Sequence, residues 1–195
     1  DVDPNIIANV RLNVDNELLC DLLGCDNTYT ISFWYKTLTE NIQTPIISIK
    51  DGNNYIIRIK IWYLNGKYNI EIEFNQSITY SGFVSGELDK WYRFSFIYDD
   101  TQLDFIDKCK IYFVSDNITW NNTSLSKNGI FNGFTNETFT DLFIGGETTN
   151  ISKSYMEDFR IYNKVLSQDE IIQLTGFNIN NTVDINIQEF NTGST

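Results

Sequence analysis

Two carboxylates separated by one residue, Glu71 and Glu73, alternate with Ile70 and Ile72. On an extended chain this spacing sends both acids to one face and both isoleucines to the other. Such a pair is the equipment of glycoside hydrolysis. One group gives a proton, and the other attacks directly or activates water, about 5 Å apart for retention and farther for inversion. The plainer reading is a solvated strand face over a core of isoleucine. The 195 residues contain no histidine. That removes Ser-His-Asp and Cys-His nucleophiles and every His-ligated zinc or iron site. The cysteines are Cys20, Cys25 and Cys109, with no C-x-x-C pair, so a zinc ribbon is excluded. Three thiols are no disulfide framework. Cys20 and Cys25 can close a small loop only if their Cα atoms come within reach, and three separate thiols is the simpler expectation.

Aromatic residues beside turns offer different chemistry. Sugars are held by exposed rings with a few Asn or Asp hydrogen bonds. Trp120 stands between Thr119 and Asn121 in a polar stretch, where a core role is least expected. Trp62 and Tyr63 adjoin Asn65-Gly66, and Tyr80 precedes a glycine turn. These four are the candidate ligand-binding residues; the competing reading is a small cluster packed under loops. Asp51, Asn53 and Asn54 share a turn whose oxygens suit a hard cation such as Ca2+, although no D-x-D-x-D-G loop accompanies them.

The elements that must position these groups follow from hydrophobic period. Ile31, Phe33 and Tyr35 alternate with Ser32, Trp34 and Lys36. Ile57, Ile59 and Ile61 alternate with Arg58, Lys60 and Trp62, and Tyr92 to Tyr98 repeats the pattern. Val10 to Val14, Ile111 to Phe113, Leu142 to Ile144 and Phe159 to Ile161 are shorter versions. Period two with β-branched and aromatic residues predicts at least ten short strands. Asn65-Gly66 predicts a type I′ hairpin. Asp51-Gly52, Ser81-Gly82 and Ser85-Gly86 mark further turns, and residues 115 to 141 read as loops or edge strands. Ser167 with Glu170 forms a capping box that opens one short helix, and Gly176 is a plausible stop.

Aromatics at 15% and hydrophobic residues at 42% are enough for a core. The net charge of -12 argues against nucleic acid as a partner. No apolar run approaches the length of a membrane span. Ile and Asn, 27 and 24 of the residues, inflate chance motifs. The seven sequons, at Asn75, Asn117, Asn121, Asn122, Asn136, Asn150 and Asn180, are read in that light. The chain begins at Asp1, as a processed product or an excised domain would. One domain is expected over residues 1–176, with residues 177–195 a last strand or linker.

Three segments together carry a resemblance. Tyr29-Thr-Ile-Ser-Phe-Trp-Tyr-Lys36 is similar to an early strand, and Asp89-Lys-Trp-Tyr-Arg-Phe-Ser-Phe-Ile-Tyr98 to a middle strand, of the concanavalin A-like jelly roll in its laminin-G-like form. Leu142-Phe-Ile-Gly-Gly146 followed by Met156-Glu-Asp-Phe-Arg-Ile-Tyr-Asn-Lys-Val-Leu-Ser-Gln-Asp-Glu-Ile171 resembles its closing strands and helix. More distantly the same landmarks resemble the N-terminal half of the clostridial neurotoxin receptor-binding segment.

The resemblance implies an all-β, two-sheet antiparallel sandwich with a short C-terminal helix. It implies that Trp34 and Trp91 are packing residues. It places Glu157 and Asp158 at an acidic pair, which with Asp51 is the candidate calcium set; Glu157 departs from the aspartate usual there. The hydrolase branch reads Glu-x-Asp-x-x-Glu, and here its third acid is replaced by Gln76. The expected function is therefore a non-catalytic recognition module, secreted or on a cell or virion surface, binding a glycan or a protein. The alternatives are an assembly domain of a larger particle and, less favoured, a glycan hydrolase.

Overall fold

The structure is a computed structural model that describes residues 10–13, 28–43, 45–103, 105–115, 121–124, 126–129, 139–145 and 153–176. Strands β1 (Val10–Asn13), β2 (Thr28–Thr37), β3 (Pro45–Asp51), β4 (Asn54–Leu64), β5 (Lys67–Phe74), β6 (Ile78–Ser85) and β7 (Tyr92–Asp99) come first. A single helical turn α1 (Phe105–Lys108), which the alternation did not predict, leads into β8 (Cys109–Ser115). Then follow β9 (Asn121–Ser124), β10 (Ser126–Asn128), β11 (Asp141–Ile144), β12 (Ser154–Tyr162) and the helix α2 (Gln168–Leu174). All pairings between these strands are antiparallel, and Glu40 makes an isolated parallel bridge to Tyr63. One sheet has seven strands in the order β1-β11-β3-β4-β5-β6-β10, the other five in the order β12-β2-β7-β8-β9.

The alternation closes the sandwich. Tyr29, Ile31, Phe33 and Tyr35 of β2 and Tyr92, Phe94, Phe96 and Tyr98 of β7 face the same core as Ile57, Ile59 and Ile61 of β4 and Tyr68, Ile70, Ile72 and Phe74 of β5. Each such side chain contributes about 1.5–3 kcal/mol when fully buried. The rings also meet edge to face or stacked, as between Tyr68 and Tyr92 at 5.2 Å and Tyr92 and Phe113 at 4.2 Å. Gly86 borders this cluster. A Cβ there would come within 2.7 Å of the Tyr68 ring, so the packing itself requires glycine. Buried phenols keep partners at the rim: Tyr68 donates to the Glu87 carbonyl and Tyr63 to that of Gly86. Burial pushes the Tyr29, Tyr68 and Tyr98 phenols up, so they stay neutral donors.

The two outer faces differ. On the five-stranded sheet, Thr30, Ser32, Arg93, Ser95 and Ile97 are as buried as the core. Helix α2 lies over this face, packing Leu166 and Ile171 on Ile97 with Tyr112, Tyr162 and Leu174 around them. The capping box is present in full: the Ser167 hydroxyl accepts from the Glu170 amide and the Glu170 carboxylate accepts from the Ser167 amide. With Lys164 as a further donor, that carboxyl is held at about 2. The Thr30 hydroxyl fixes the approach to the helix, donating to the Lys164 carbonyl and accepting from the Leu166 amide. Beside the helix, Arg93 donates to Ser32 Oγ at 2.9 Å and to Asp158 Oδ2 at 2.5 Å. On the seven-stranded sheet, β4 instead alternates buried and half-buried residues from Ile57 to Leu64, and β5 does so from Tyr68 to Ile72 before closing on Glu73 and Phe74, both buried.

Candidate ligand-binding face

The open face is organised by one tight turn. Asn65 and Gly66 both have positive φ, 53° and 76°, the type I′ geometry that matches strand twist. The turn pins Leu64 opposite Lys67 and Trp62 opposite Asn69. The next pairing sets Asn69 opposite Phe83 on β6. Trp62, Asn69 and Phe83 thus form a row across three strands on the solvent side. The two rings stand two strand spacings apart, about 10 Å, with the Asn69 amide between them. Phe83 is 56% exposed, and the Lys67 ammonium sits 4.0 Å from its ring centroid. Trp62 is half-buried. Apolar faces flanking an amide and an ammonium make a platform for a flat, hydroxylated ligand.

The neighbouring rows are ionic. Lys60 opposes and pairs with Glu71, and Arg58 opposes and pairs with Glu73; Lys60 also lies 3.8 Å from the second Glu73 oxygen. Glu71 and Glu73 do share a face, as their spacing demands. Both carboxylates are engaged by cations of β4, and Glu73 is buried, so the pair forms a cross-strand ion ladder. Farther along, Tyr55 is flanked by Lys50 at 4.3 Å and Arg58 at 4.4 Å.

The structure redistributes the other predicted site residues. Tyr63 and Tyr80 are corrections: at 8% and 0% exposure both rings belong to the core and offer no face to a surface ligand. Parity is the reason. Tyr63 continues the inward series Ile57, Ile59, Ile61, and Tyr80 pairs with inward Ile72. Ser81 and Gly82, expected as a turn, instead lie within β6. Trp120 lies outside the described residues, as do Cys20 and Cys25, while Cys109 is a buried thiol.

The candidate calcium set does not converge. Asp51 ends β3 in the seven-stranded sheet, whereas Glu157 and Asp158 lie on β12 in the other. Asp158 sits in a bulge between Glu157 and Arg160 with φ 48°, which turns its carboxylate onto Arg93 and Arg160. Partial burial raises this carboxyl, but the two arginine hydrogen bonds outweigh it and hold it below its ordinary 3.8. Asp158 is thus the counter-ion of a buried guanidinium, which corrects its assignment as a cation ligand. Among the described residues no group of three or more His, Cys, Asp or Glu is placed to hold a metal.

The sequence reading missed Phe83, Asn69 and Lys67. It also missed a second aromatic cluster, on the outer side of the five-stranded sheet. Trp91 and Tyr155 stand 6.4 Å apart, with the Lys36 ammonium 5.5 Å from one ring and 5.1 Å from the other. Asp89 anchors that ammonium at 2.9 Å, so this aromatic pair is already occupied by the protein's own cation. Trp34 is half-buried on the same side, 5.8 Å above the Arg93 guanidinium.

A sandwich of this topology with an open, aromatic-bearing sheet defines a class of lectin-like β proteins. The chain belongs to the concanavalin A-like lectin/glucanase superfamily, whose laminin-G-type profile matches residues 13–172. Its fold is similar to the heptameric SAP-like pentraxin of Limulus polyphemus (TM-score 0.54, 11% identity, 74% of this chain and 68% of that one). It is also similar to the binding domain of botulinum neurotoxin DC, solved in complex with SialylT (TM-score 0.57, 13% identity, 86% of this chain and 39% of that one). A third similarity is to Trypanosoma rangeli sialidase (TM-score 0.51, 17% identity, 76% of this chain and 22% of that one). The chain thus spans well under half of the toxin and sialidase chains. No curated protein matches the sequence.

Proposed function

We propose that this chain is a non-catalytic recognition module, secreted or displayed on a surface, that binds a glycan across β4, β5 and β6. The observation that carries the reading is the row Trp62–Asn69–Phe83, in which an amide is presented between two solvent-facing rings. The engagement of Glu71 and Glu73 with Lys60 and Arg58 supports binding over hydrolysis. Similarity to a pentraxin and to a toxin's binding domain supports recognition as the general role. Assembly through strand edges, the main alternative, has little to work with on β12: its bulge and its charged residues Glu157, Asp158 and Arg160 discourage pairing with another strand.

The test is a glycan array followed by titration of the best ligand, monitored by tryptophan fluorescence. Read by calorimetry, Trp62→Ala should raise Kd about tenfold or more, and Tyr155→Ala should leave it unchanged. An array with no ligand, or equal losses from both variants, would remove this face as the binding site.

A further inference from the structure

The three cations on β4 and β5 are treated differently. Lys60 and Arg58 each have a carboxylate partner directly across the strand pair. Lys67 has none within ion-pair distance among the described residues; its ammonium rests on the exposed face of Phe83. It is also the cation at the aromatic row, one pairing beyond Asn69 on the same side of β5. The second aromatic cluster shows the contrast, since there Lys36 is neutralised by Asp89.

In a chain with 26 acidic and 14 basic residues, an exposed ammonium left without an acid beside it is poorly explained by stability. An exposed contact of a lysine with a phenylalanine ring contributes only about 0.5–1 kcal/mol. What the arrangement does provide is a fixed positive charge beside two stacking surfaces, on a protein whose overall field repels anions. A ligand whose anionic group falls at this row meets an exposed cation there.

We infer that the glycan bound by this face is acidic, with its anionic group paired to Lys67 and its sugar rings laid against Phe83 and Trp62. This inference rests on the proposed glycan-binding role and narrows it to a ligand class. Asn69 then serves the hydroxyls between the two rings. The anion is a carboxylate or a sulfate, and both chemistries belong in the test.

The experiment titrates the whole chain with three versions of one oligosaccharide: carboxylated, carboxyl-reduced and sulfated. Each is measured at low and at raised salt by tryptophan fluorescence and calorimetry. One exposed ion-pair contact corresponds to a preference of up to about fivefold for an acidic form over the neutral one. That preference should shrink as salt screens it. Lys67→Gln should bring acidic and neutral affinities to within about twofold of each other, and Lys67→Arg should retain the preference. A carboxylate preference without a sulfate one, or the reverse, fixes the source of the anion. Equal affinity for all three forms, unchanged by Lys67→Gln, would overturn the acidic class and leave glycan recognition standing. No binding of any form would remove the recognition role itself.

Discussion

The two sheets have the same inner face and opposite outer ones. Strand β7 is buried along nearly its whole length, with Arg93, Ser95 and Ile97 as enclosed as Phe94 and Phe96. Strand β4, its counterpart in the seven-stranded sheet, alternates buried and half-buried residues from Ile57 to Leu64. The five-stranded sheet spends its outer face on α2 and on the Arg93–Asp158 pair. The seven-stranded sheet leaves part of its outer face, around Trp62, Asn69 and Phe83, open to solvent. A sheet covered on both sides is a scaffold, and one covered on a single side can present side chains to a partner. Each side also holds rings beside a lysine: Lys36 is paired with Asp89, whereas Lys67 has no acid within ion-pair distance among the described residues. Recognition is thus assigned by what is left uncovered, more than by where aromatic residues occur.

Breaking the covered side should have the largest effect. Asp158→Asn leaves the Arg93 guanidinium, 0% exposed, without a counter-charge. The expected loss is about 3 kcal/mol in urea unfolding, with glycan binding at the folded baseline unchanged. Acid does the same more gently. The folded carboxyl lies below its unfolded value near 3.8, so its stabilisation is complete above that pH. It is lost as pH falls from there through the lower folded value. A Tm series across acid pH should show this drop in the wild type and a weaker one in Asp158→Asn.

On the open side the order reverses. Trp62→Ala should cost about 1.4 kcal/mol of binding or more, a tenfold rise in Kd, with native near-UV circular dichroism retained. Next comes, back on the covered side, Ser167→Ala, which removes the cap of α2; it should cost about 1 kcal/mol of stability and nothing in ligand affinity. Smallest is Phe83→Ala. Truncating an exposed ring should leave Tm nearly unchanged and weaken binding by about 0.5–1 kcal/mol in the same titration. If Phe83→Ala instead lowered Tm by several degrees, the open face would be structural and the contrast between the sheets would fail.

Much of the scaffold was legible because period two is a strong signal. Alternation alone identifies the core residues Ile31, Phe33 and Tyr35 of β2, Ile57, Ile59 and Ile61 of β4, Ile70 and Ile72 of β5, and the inward residues of β7. The Asn65-Gly66 hairpin and the Ser167–Glu170 box are local chemistry that needs no tertiary context. The site was half legible. Trp62 is legible because it stands beside a turn; Tyr63 stands beside the same turn, but adjacent strand residues face opposite ways and its ring lies in the core. Tyr80 is hidden likewise, because Ser81-Gly82 resembles a turn while β6 runs through it. Continuing β6 through Gly82 would have set Phe83 outward and Tyr80 inward. The roles of Asp158 and of Lys67 were not visible in the sequence. One depends on a bulge, the other on a register across three strands.

The enclosure of β7 also sets the order in which the molecule comes apart. Its amides are bonded to β2 on one side and β8 on the other, beneath side chains on both faces. In deuterated water the central amides of β7, from Phe94 to Ile97, should be the last to exchange, at the rate of global unfolding. The four-residue β1 should take up label first. Isotope uptake would then spread from the margins of the sandwich towards one strand, and the slowest peptides would mark the part of the fold on which everything else is hung.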